Sequence, residues 1–79
     1  MDIKKDLALI VKFHRAKSGL TQKQLADLAG VGKTVVFDIE KGKESVRLNT
    51  LVKIFEVLNI KMNFDSPLMN LMRKENEES

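Results

Sequence analysis

Apolar residues recur every three or four positions over most of the first 60 residues, and this spacing predicts helices. The first predicted helix covers residues 3–17 and ends at Ser18 and Gly19, since glycine can take the left-handed conformation that closes a helix. The second starts after Thr21, whose hydroxyl can accept from a first-turn amide, and ends at Gly30. The expected core-facing residues of these helices are Ile3, Leu7, Ile10, Val11 and His14, and then Leu25, Ala26, Leu28 and Ala29.

Two more helices follow. A short helix is predicted over 33–41, with Val36 and Ile39 on its core side and Gly42 closing it. After a polar loop, a fourth helix is predicted over 48–58. Its apolar face is wide enough to contact both the core and a second surface, and it consists of Leu48, Leu51, Val52, Ile54, Phe55 and Leu58.

The periodicity changes after residue 59. Ile60, Met62 and Phe64 alternate with Lys61 and Asn63, and this period of two predicts a short strand. A lone strand needs ladder partners, which must come from a second copy of the chain or from the N-terminal residues. We therefore expect a homodimer held by the fourth helix and this strand, with the interface formed by Phe55, Leu58, Ile60, Met62 and Phe64.

The end of the chain is expected to be loosely structured. Ser66 and Pro67 start a weak helix over 67–75, in which Leu68, Leu71 and Met72 are apolar, and the acidic end after it is expected to be disordered. The predicted organisation is thus a helical domain over 1–59, a dimerisation strand over 60–66, and a short helix with a flexible acidic tail over 67–79.

Composition excludes several classes of protein. At 79 residues with 43% hydrophobic residues, the chain can form one small helical core. It has no cysteine and one histidine, so no disulfide framework or zinc centre is expected, and His14 is interpreted as a partly buried, hydrogen-bonded side chain. No carboxylate pair or nucleophile with a base suggests an enzyme, and no cofactor is predicted. Short apolar runs and the lack of a signal-peptide cleavage site predict a cytoplasmic protein that does not enter membranes.

Charge and one short motif raise the question of a polyanion. Residues 1–47 contain ten Lys or Arg against six Asp or Glu, so a polyanion-binding face is expected there. Gly32, Lys33 and Thr34 match the end of a phosphate-binding loop. The first glycine of that motif would fall at Asp27, and the preceding segment is helical rather than a strand, so a nucleotide site is rejected.

The second and third helices carry a family resemblance. Gln22, Ala26, Gly30, Val36 and Ile39 stand where the helix-turn-helix motif has its first glutamine, its small crossing residue, its turn glycine and two core residues. Together with "DIEKGK" and "LNTLVKIFEVLNI", residues 7–60 resemble the Cro/C1 (XRE-like) repressor family. The resemblance implies an all-α, lambda-repressor-like domain of four to five helices, with a short C-terminal strand that pairs across a dimer.

Within that family the chain looks most like HipB-type antitoxins. This resemblance implies a sequence-specific, DNA-binding homodimeric repressor that binds an inverted-repeat operator in its own promoter and also holds a HipA-like kinase toxin. A stand-alone XRE-type regulator, or a protein-interaction module that binds DNA weakly, is the alternative.

The resemblance also implies site residues. The candidate base-reading residues are Lys33, Thr34, Phe37 and Asp38, with Val35 beside them. Lys33 can reach a guanine or a phosphate; Phe37 can contact a thymine methyl group or fold back over the following loop; Asp38 can accept from cytosine or, as we favour, pair with a lysine. Arg15 and Glu40 match family positions that form a structural ion pair. The candidate phosphate contacts are Gln22, Lys23, Lys41, Lys43, Arg47 and Thr50.

Overall fold

The computed structural model describes residues 2–43 and 45–78. Within these ranges the chain is all-α, as predicted, and contains five helices and no strand. The first four helices lie where the apolar spacing placed them, although α3 and α4 each end one residue early, with Lys41 and Leu58 as their C-terminal caps. The helices are α1 (Ile3–Lys17), α2 (Gln22–Ala29), α3 (Lys33–Glu40), α4 (Leu48–Val57) and α5 (Met69–Glu78).

Local hydrogen bonds fix both ends of α2. The Thr21 hydroxyl accepts from the Gln24 amide at 3.0 Å, and the Gln24 side chain accepts from the Thr21 amide at 2.9 Å. This reciprocal pair satisfies two donors that a helix N-terminus otherwise leaves open. Gly30 ends the helix with a φ of 71°, a left-handed conformation that glycine adopts without steric cost. A turn of residues 30–32 therefore separates α2 from α3.

The core forms around α3, which packs against α1 and α2, while α4 packs against α2. Ala26 is almost fully buried, and its short side chain lets these helices approach closely. Leu7, Leu20 and Ile60 pack against the margin of the core. The buried apolar residues are Val11, Leu25, Ala26, Val36, Ile39, Leu51, Ile54, Phe55 and Leu58.

Several residues expected to face the core do not. Ile3 and Leu28 are 66% and 63% exposed, and Leu48 and Ile10 are 68% and 37% exposed. For Ile3 and Ile10 the reason is that α1 packs extensively against α3 alone, so a single strip of α1 centred on Val11 is covered. Apolar spacing identified each helix correctly but overestimated how wide a face the small core can cover.

The strand predicted over 60–64 does not form in the single chain. The Ile60 amide donates to the Phe55 carbonyl oxygen at 2.9 Å, after which residues 61–66 have no regular structure. A strand requires a ladder partner, and no strand lies beside it in the described part of the chain. The predicted interface also needs correction, because Phe55 and Leu58 are only 5% and 7% exposed and belong to the core of their own chain.

The last helix differs from the prediction at both ends. It begins at Met69 rather than at residue 67, and it continues to Glu78 through acidic residues expected to be disordered. Glutamate is a good helix former, which explains the extension. We call residues 3–60 the helical body and residues 61–78 the C-terminal arm; α5, within the arm, packs extensively against no helix of the body.

Candidate nucleic-acid interface

The orientation of α3 follows from its two buried residues. Val36 and Ile39 anchor the helix to the core, so Lys33 and Thr34 in its first turn face outward. Gly32 provides no side-chain hydrogen bond at this N-terminus, which leaves backbone amides open to an external acceptor. An exposed helix N-terminus carrying a lysine favours an anion.

A first groove, of about 450 Å³, lies on one side of α3. Phe37 is 44% exposed and lies in this groove, with the Lys41 ammonium 5.1 Å from its ring centroid. The ring is therefore at the surface beside a cation, and it is not buried in the core. The lining residues are Lys12, Arg15, Gln22, Phe37, Glu40 and Lys41.

A bidentate ion pair forms one wall of the first groove. Arg15 Nε and Nη2 donate to the two Glu40 carboxylate oxygens at 2.6 and 3.0 Å, and Arg15 Nη1 donates to the Leu20 carbonyl oxygen at 2.9 Å. The Gln22 amide also donates to Glu40, at 3.3 Å. With side chains only 16% and 5% exposed, Arg15 and Glu40 connect α1 to the end of α3, as predicted. Gln22 is therefore partly engaged before any ligand arrives.

The charges around Glu40 offset its burial. Burial raises the pKa of the Glu40 carboxyl, but hydrogen bonds from Arg15 and Gln22 and the charges of Arg15 and Lys12 outweigh it, so the pKa lies below its ordinary value. The hydrogen bond to Glu40 raises the pKa of Arg15, against the opposing effect of burial. Both groups are charged at neutral pH and neutralise each other, which leaves Lys12 and Lys41 as the net positive charges of the first groove.

A second groove, of about 380 Å³, lies between α3 and the loop before α4. Lys43 Nζ lies 3.3 Å from the Asp38 carboxylate, so Asp38 has the lysine partner that we favoured. Arg47 is exposed and caps α4 without a side-chain hydrogen bond. The groove is lined by Val35, Asp38, Ile39, Lys43, Ser45, Val46, Arg47 and Thr50.

Lys23, Val35 and His14 contribute little to this arrangement. Lys23 pairs with Asp27 at 3.0 Å on an exposed part of α2 and lines neither groove. Val35 is half-buried and packs against the core, so it presents little surface to a ligand. His14 is half-buried with Nδ1 2.6 Å from the Ile10 carbonyl oxygen, a satisfied position that matches its interpretation.

One cation of the grooves was missed from the sequence. Lys12 lies on α1 and lines the first groove beside Gln22 and Lys41. The available signal was its position three residues before Arg15, because residues three apart on a helix share a face and Arg15 was already assigned to a contact with α3. The structure thus groups cations on both sides of α3, an arrangement suited to two strands of phosphates flanking an inserted helix.

Comparison with known proteins identifies the family. A family model described as helix-turn-helix matches residues 11–64, a span that contains α2, α3 and α4. The chain belongs to the helix-turn-helix family. This helix-turn-helix protein is 37% identical over 59 residues to the control protein C.SmaI of Serratia marcescens, a match covering 75% of this chain and 70% of that relative.

Further relatives carry regulatory names. An uncharacterized HTH-type transcriptional regulator of Sinorhizobium fredii is 27% identical over 62 residues, covering 78% of this chain and 82% of the relative. One of Archaeoglobus fulgidus is 38% identical over 52 residues, covering 66% of this chain and 73% of the relative. The chain is thus a DNA-binding transcriptional regulator of the XRE type. No helix in its described residues is long and apolar enough to cross a membrane.

Proposed function

We propose that this protein binds an inverted-repeat operator as a homodimer and represses transcription, with α3 of each copy in the major groove. The observation that carries the proposal is the position of α3, which lies between two grooves that both contain lysine or arginine and has an exposed first turn. The half-sites would then lie about one helical turn, roughly 34 Å, apart.

Lys33 and Thr34 are proposed as base-reading residues. Their exposure at the start of α3 supports this role, because the first turn of a recognition helix normally meets the base edges. Phe37 is proposed to contact a thymine methyl group at the edge of the first groove, a role that its partial exposure supports. Asp38 is proposed to position Lys43 rather than to read a base, since the two already form a pair.

Phosphate contacts are proposed on both sides of α3. Lys12 and Lys41 would bind one strand. Gln22 would add a contact through the hydrogen-bonding groups of its amide that Glu40 does not occupy. The contacts to the other strand would come from Lys43, Arg47 and Thr50, which line the second groove. Lys23, outside both grooves, is assigned a minor electrostatic contribution.

The dimer is proposed to use the residues after the body. Met62 and Phe64 are exposed apolar side chains, and pairing of residues 60–64 with the same residues of a second copy would supply the missing ladder. Ile60 would continue this contact from the edge of the core.

As to the kind of regulator, we propose a stand-alone regulator rather than the antitoxin of a HipA-like kinase. The similarity to a relative named a control protein supports this choice, and none of the relatives described above is named as an antitoxin. Co-expression with the product of the neighbouring gene tests the choice: stable co-purification with a kinase-like protein would favour the antitoxin role.

The DNA-binding proposal is tested with a duplex selected from random-sequence DNA by repeated binding to the protein. Affinity for this duplex and for a scrambled duplex is measured by fluorescence anisotropy over a series of salt concentrations. Lys33→Ala should weaken the selected duplex by about 1 to 3 kcal/mol per half-site while changing the scrambled duplex much less. Arg47→Ala should weaken both duplexes alike and lower the salt slope by about one per half-site.

Lys53→Ala provides the matched control, because Lys53 is an exposed lysine on α4 that lines neither groove. It should change neither the affinity nor the preference. A Lys33→Ala variant that keeps its full preference for the selected duplex would refute the base-reading role. Weak binding of all sequences by the unmutated protein would instead indicate an interaction module.

A further inference from the structure

The surface of α1 contains an apolar stripe that neither the core nor the proposed DNA interface uses. Leu9 and Phe13 are 69% and 59% exposed and lie four residues apart, which puts them on one face of the helix. Lys17 continues this face, and its ammonium lies 5.6 Å from the Phe13 ring centroid. Leu9 and Phe13 line neither groove beside α3. We call Leu9, Phe13 and Lys17 the α1 stripe.

A matching stripe lies on the C-terminal arm. Leu68, Leu71 and Met72 are exposed apolar residues, and Glu75 follows Leu71 by four positions on the same helical face. Because α5 packs extensively against no helix of the body, this face is open. We call Leu68, Leu71, Met72 and Glu75 the α5 stripe.

We propose that, in a dimer, the α5 stripe of each copy packs along the α1 stripe of the other copy. We call this reciprocal interaction the arm–body contact. The inference rests on the proposed homodimer and specifies its contacts. Each copy carries both surfaces, so a twofold arrangement buries two equal contacts and closes without leaving a free stripe.

Charge favours one direction of packing. Lys17 ends the α1 stripe and Glu75 ends the α5 stripe. Parallel packing brings these two opposite charges together, whereas antiparallel packing places them at opposite ends of the contact.

The path of the chain favours a second copy over the chain's own α1. Ile60 is held against the body by its amide hydrogen bond to the Phe55 carbonyl oxygen, and residues 61–68 after it are all exposed. Pairing of residues 60–64 between copies would place each arm next to the body of its partner. The arm–body contact would then be continuous with that pairing. Exposed apolar stripes on both sides of such a contact are typical of surfaces buried in assemblies.

Disulfide trapping tests the proposal directly, because the unmutated chain contains no cysteine. Leu9→Cys and Met72→Cys chains are prepared separately, mixed in equal amounts and oxidised mildly at a concentration at which light scattering gives the mass of two chains. We expect a covalent heterodimer in the mixture, with the linkage between residues 9 and 72 established by mass spectrometry. Each variant alone should remain largely uncross-linked.

The other outcomes overturn the inference in distinguishable ways. Efficient cross-linking of Met72→Cys alone would mean that the two α5 helices pack on each other. An intrachain disulfide in the Leu9→Cys, Met72→Cys double variant would mean that the arm folds onto its own body. A dimer that binds the selected duplex but gives no disulfide in the mixture would contradict the arm–body contact while leaving the proposed function intact. A mass of one chain would overturn both.

A charge exchange provides an independent check that needs no cysteine. Lys17→Glu places two acids together at the end of the paired stripes, and we expect the dimer dissociation constant to rise by about fivefold, the effect of a partly exposed ion pair. Adding Glu75→Lys to the same chain should restore the original constant. Failure of the double variant to recover, with Lys17→Glu alone impaired, would contradict the pairing of these two residues.

Discussion

The helices of both the helical body and the C-terminal arm carry apolar residues at helical spacing, but the body buries many of them and the arm leaves nearly all of them exposed. In the body the apolar residues converge on α3, and several side chains are completely buried. In the arm every described side chain except that of Met69 is exposed. Apolar periodicity thus predicts a helix in both regions, but it predicts packing only where other helices supply a covering surface. The body is stabilised by its own contacts, whereas the helix of the arm makes no extensive contact with the body.

The largest expected difference between the two regions comes from leucine truncation. Leu25→Ala removes a completely buried side chain and should lower the free energy of unfolding by about 2 to 5 kcal/mol. Leu71→Ala, in the exposed arm, should change it by less than about 0.5 kcal/mol when the protein is dilute enough to be monomeric. Urea denaturation of both variants checks this, and equal losses would show that the arm packs on its own body.

Breaking the ion pair of the body should have the next largest effect. Glu40→Ala leaves the Arg15 guanidinium, only 16% exposed, without its carboxylate, and should cost on the order of 3 kcal/mol. Asp27→Ala removes an exposed pair with Lys23 and should cost less than about 1 kcal/mol. Thermal unfolding midpoints compare the two; a Glu40→Ala midpoint equal to that of Asp27→Ala would mean that the pair between α1 and α3 contributes no more than a surface contact.

Acid should reduce the contribution of the same pair. Because the folded pKa of Glu40 lies below its ordinary value of 4.5, its contribution is fully present above that pH and is lost as the pH falls through the folded value. Between neutral pH and about pH 3, the unmutated protein should therefore lose more stability than Glu40→Gln, which cannot titrate there. Urea midpoints measured across this range test the sign, and parallel curves for the two proteins would contradict it.

The smallest expected effect concerns a helix cap. Thr21→Ala removes the hydroxyl that accepts from the Gln24 amide and should lower the free energy of unfolding by about 1 kcal/mol. Ser66→Ala, in the exposed segment before α5, should change it by less than about 0.5 kcal/mol. Differential scanning calorimetry resolves this difference, and an unchanged Thr21→Ala midpoint would show that water replaces the cap at no cost.

The parts of the fold that the sequence predicted are those determined by local chemistry. The ends of α1 and α2 follow from Gly19, Thr21 and Gly30, whose conformational and hydrogen-bonding preferences act within a few residues. The Arg15–Glu40 pair joins residues 25 positions apart, and it was predicted only because the family resemblance supplied the pairing. The exposure of Ile3 and Leu28 could not be predicted, since it depends on how many helices surround each face.

The candidate interface shows the same division. Placement of Lys33 and Thr34 on the outer side of α3 follows from the burial of Val36 and Ile39, which periodicity predicts. The inclusion of Lys12 depends on how α1 crosses α3, a tertiary relation whose one short-range signal is the position of Lys12 three residues before Arg15. For residues 60–64 the alternating pattern was a correct observation, but strand formation requires a partner that a single chain does not provide.

In the second groove, Lys43 is already paired with the Asp38 carboxylate when no DNA is bound. A backbone phosphate that reaches Lys43 must displace the Asp38 carboxylate, so binding there exchanges one anion for another. The exchange contributes less net affinity than a contact by a cation that has no carboxylate to displace. Asp38 also repels any phosphate that approaches α3 in the wrong register, because the displaced carboxylate remains nearby. If Lys43 contacts a phosphate as proposed, Asp38 would therefore reduce binding to unrelated DNA more than binding to a duplex that α3 fits.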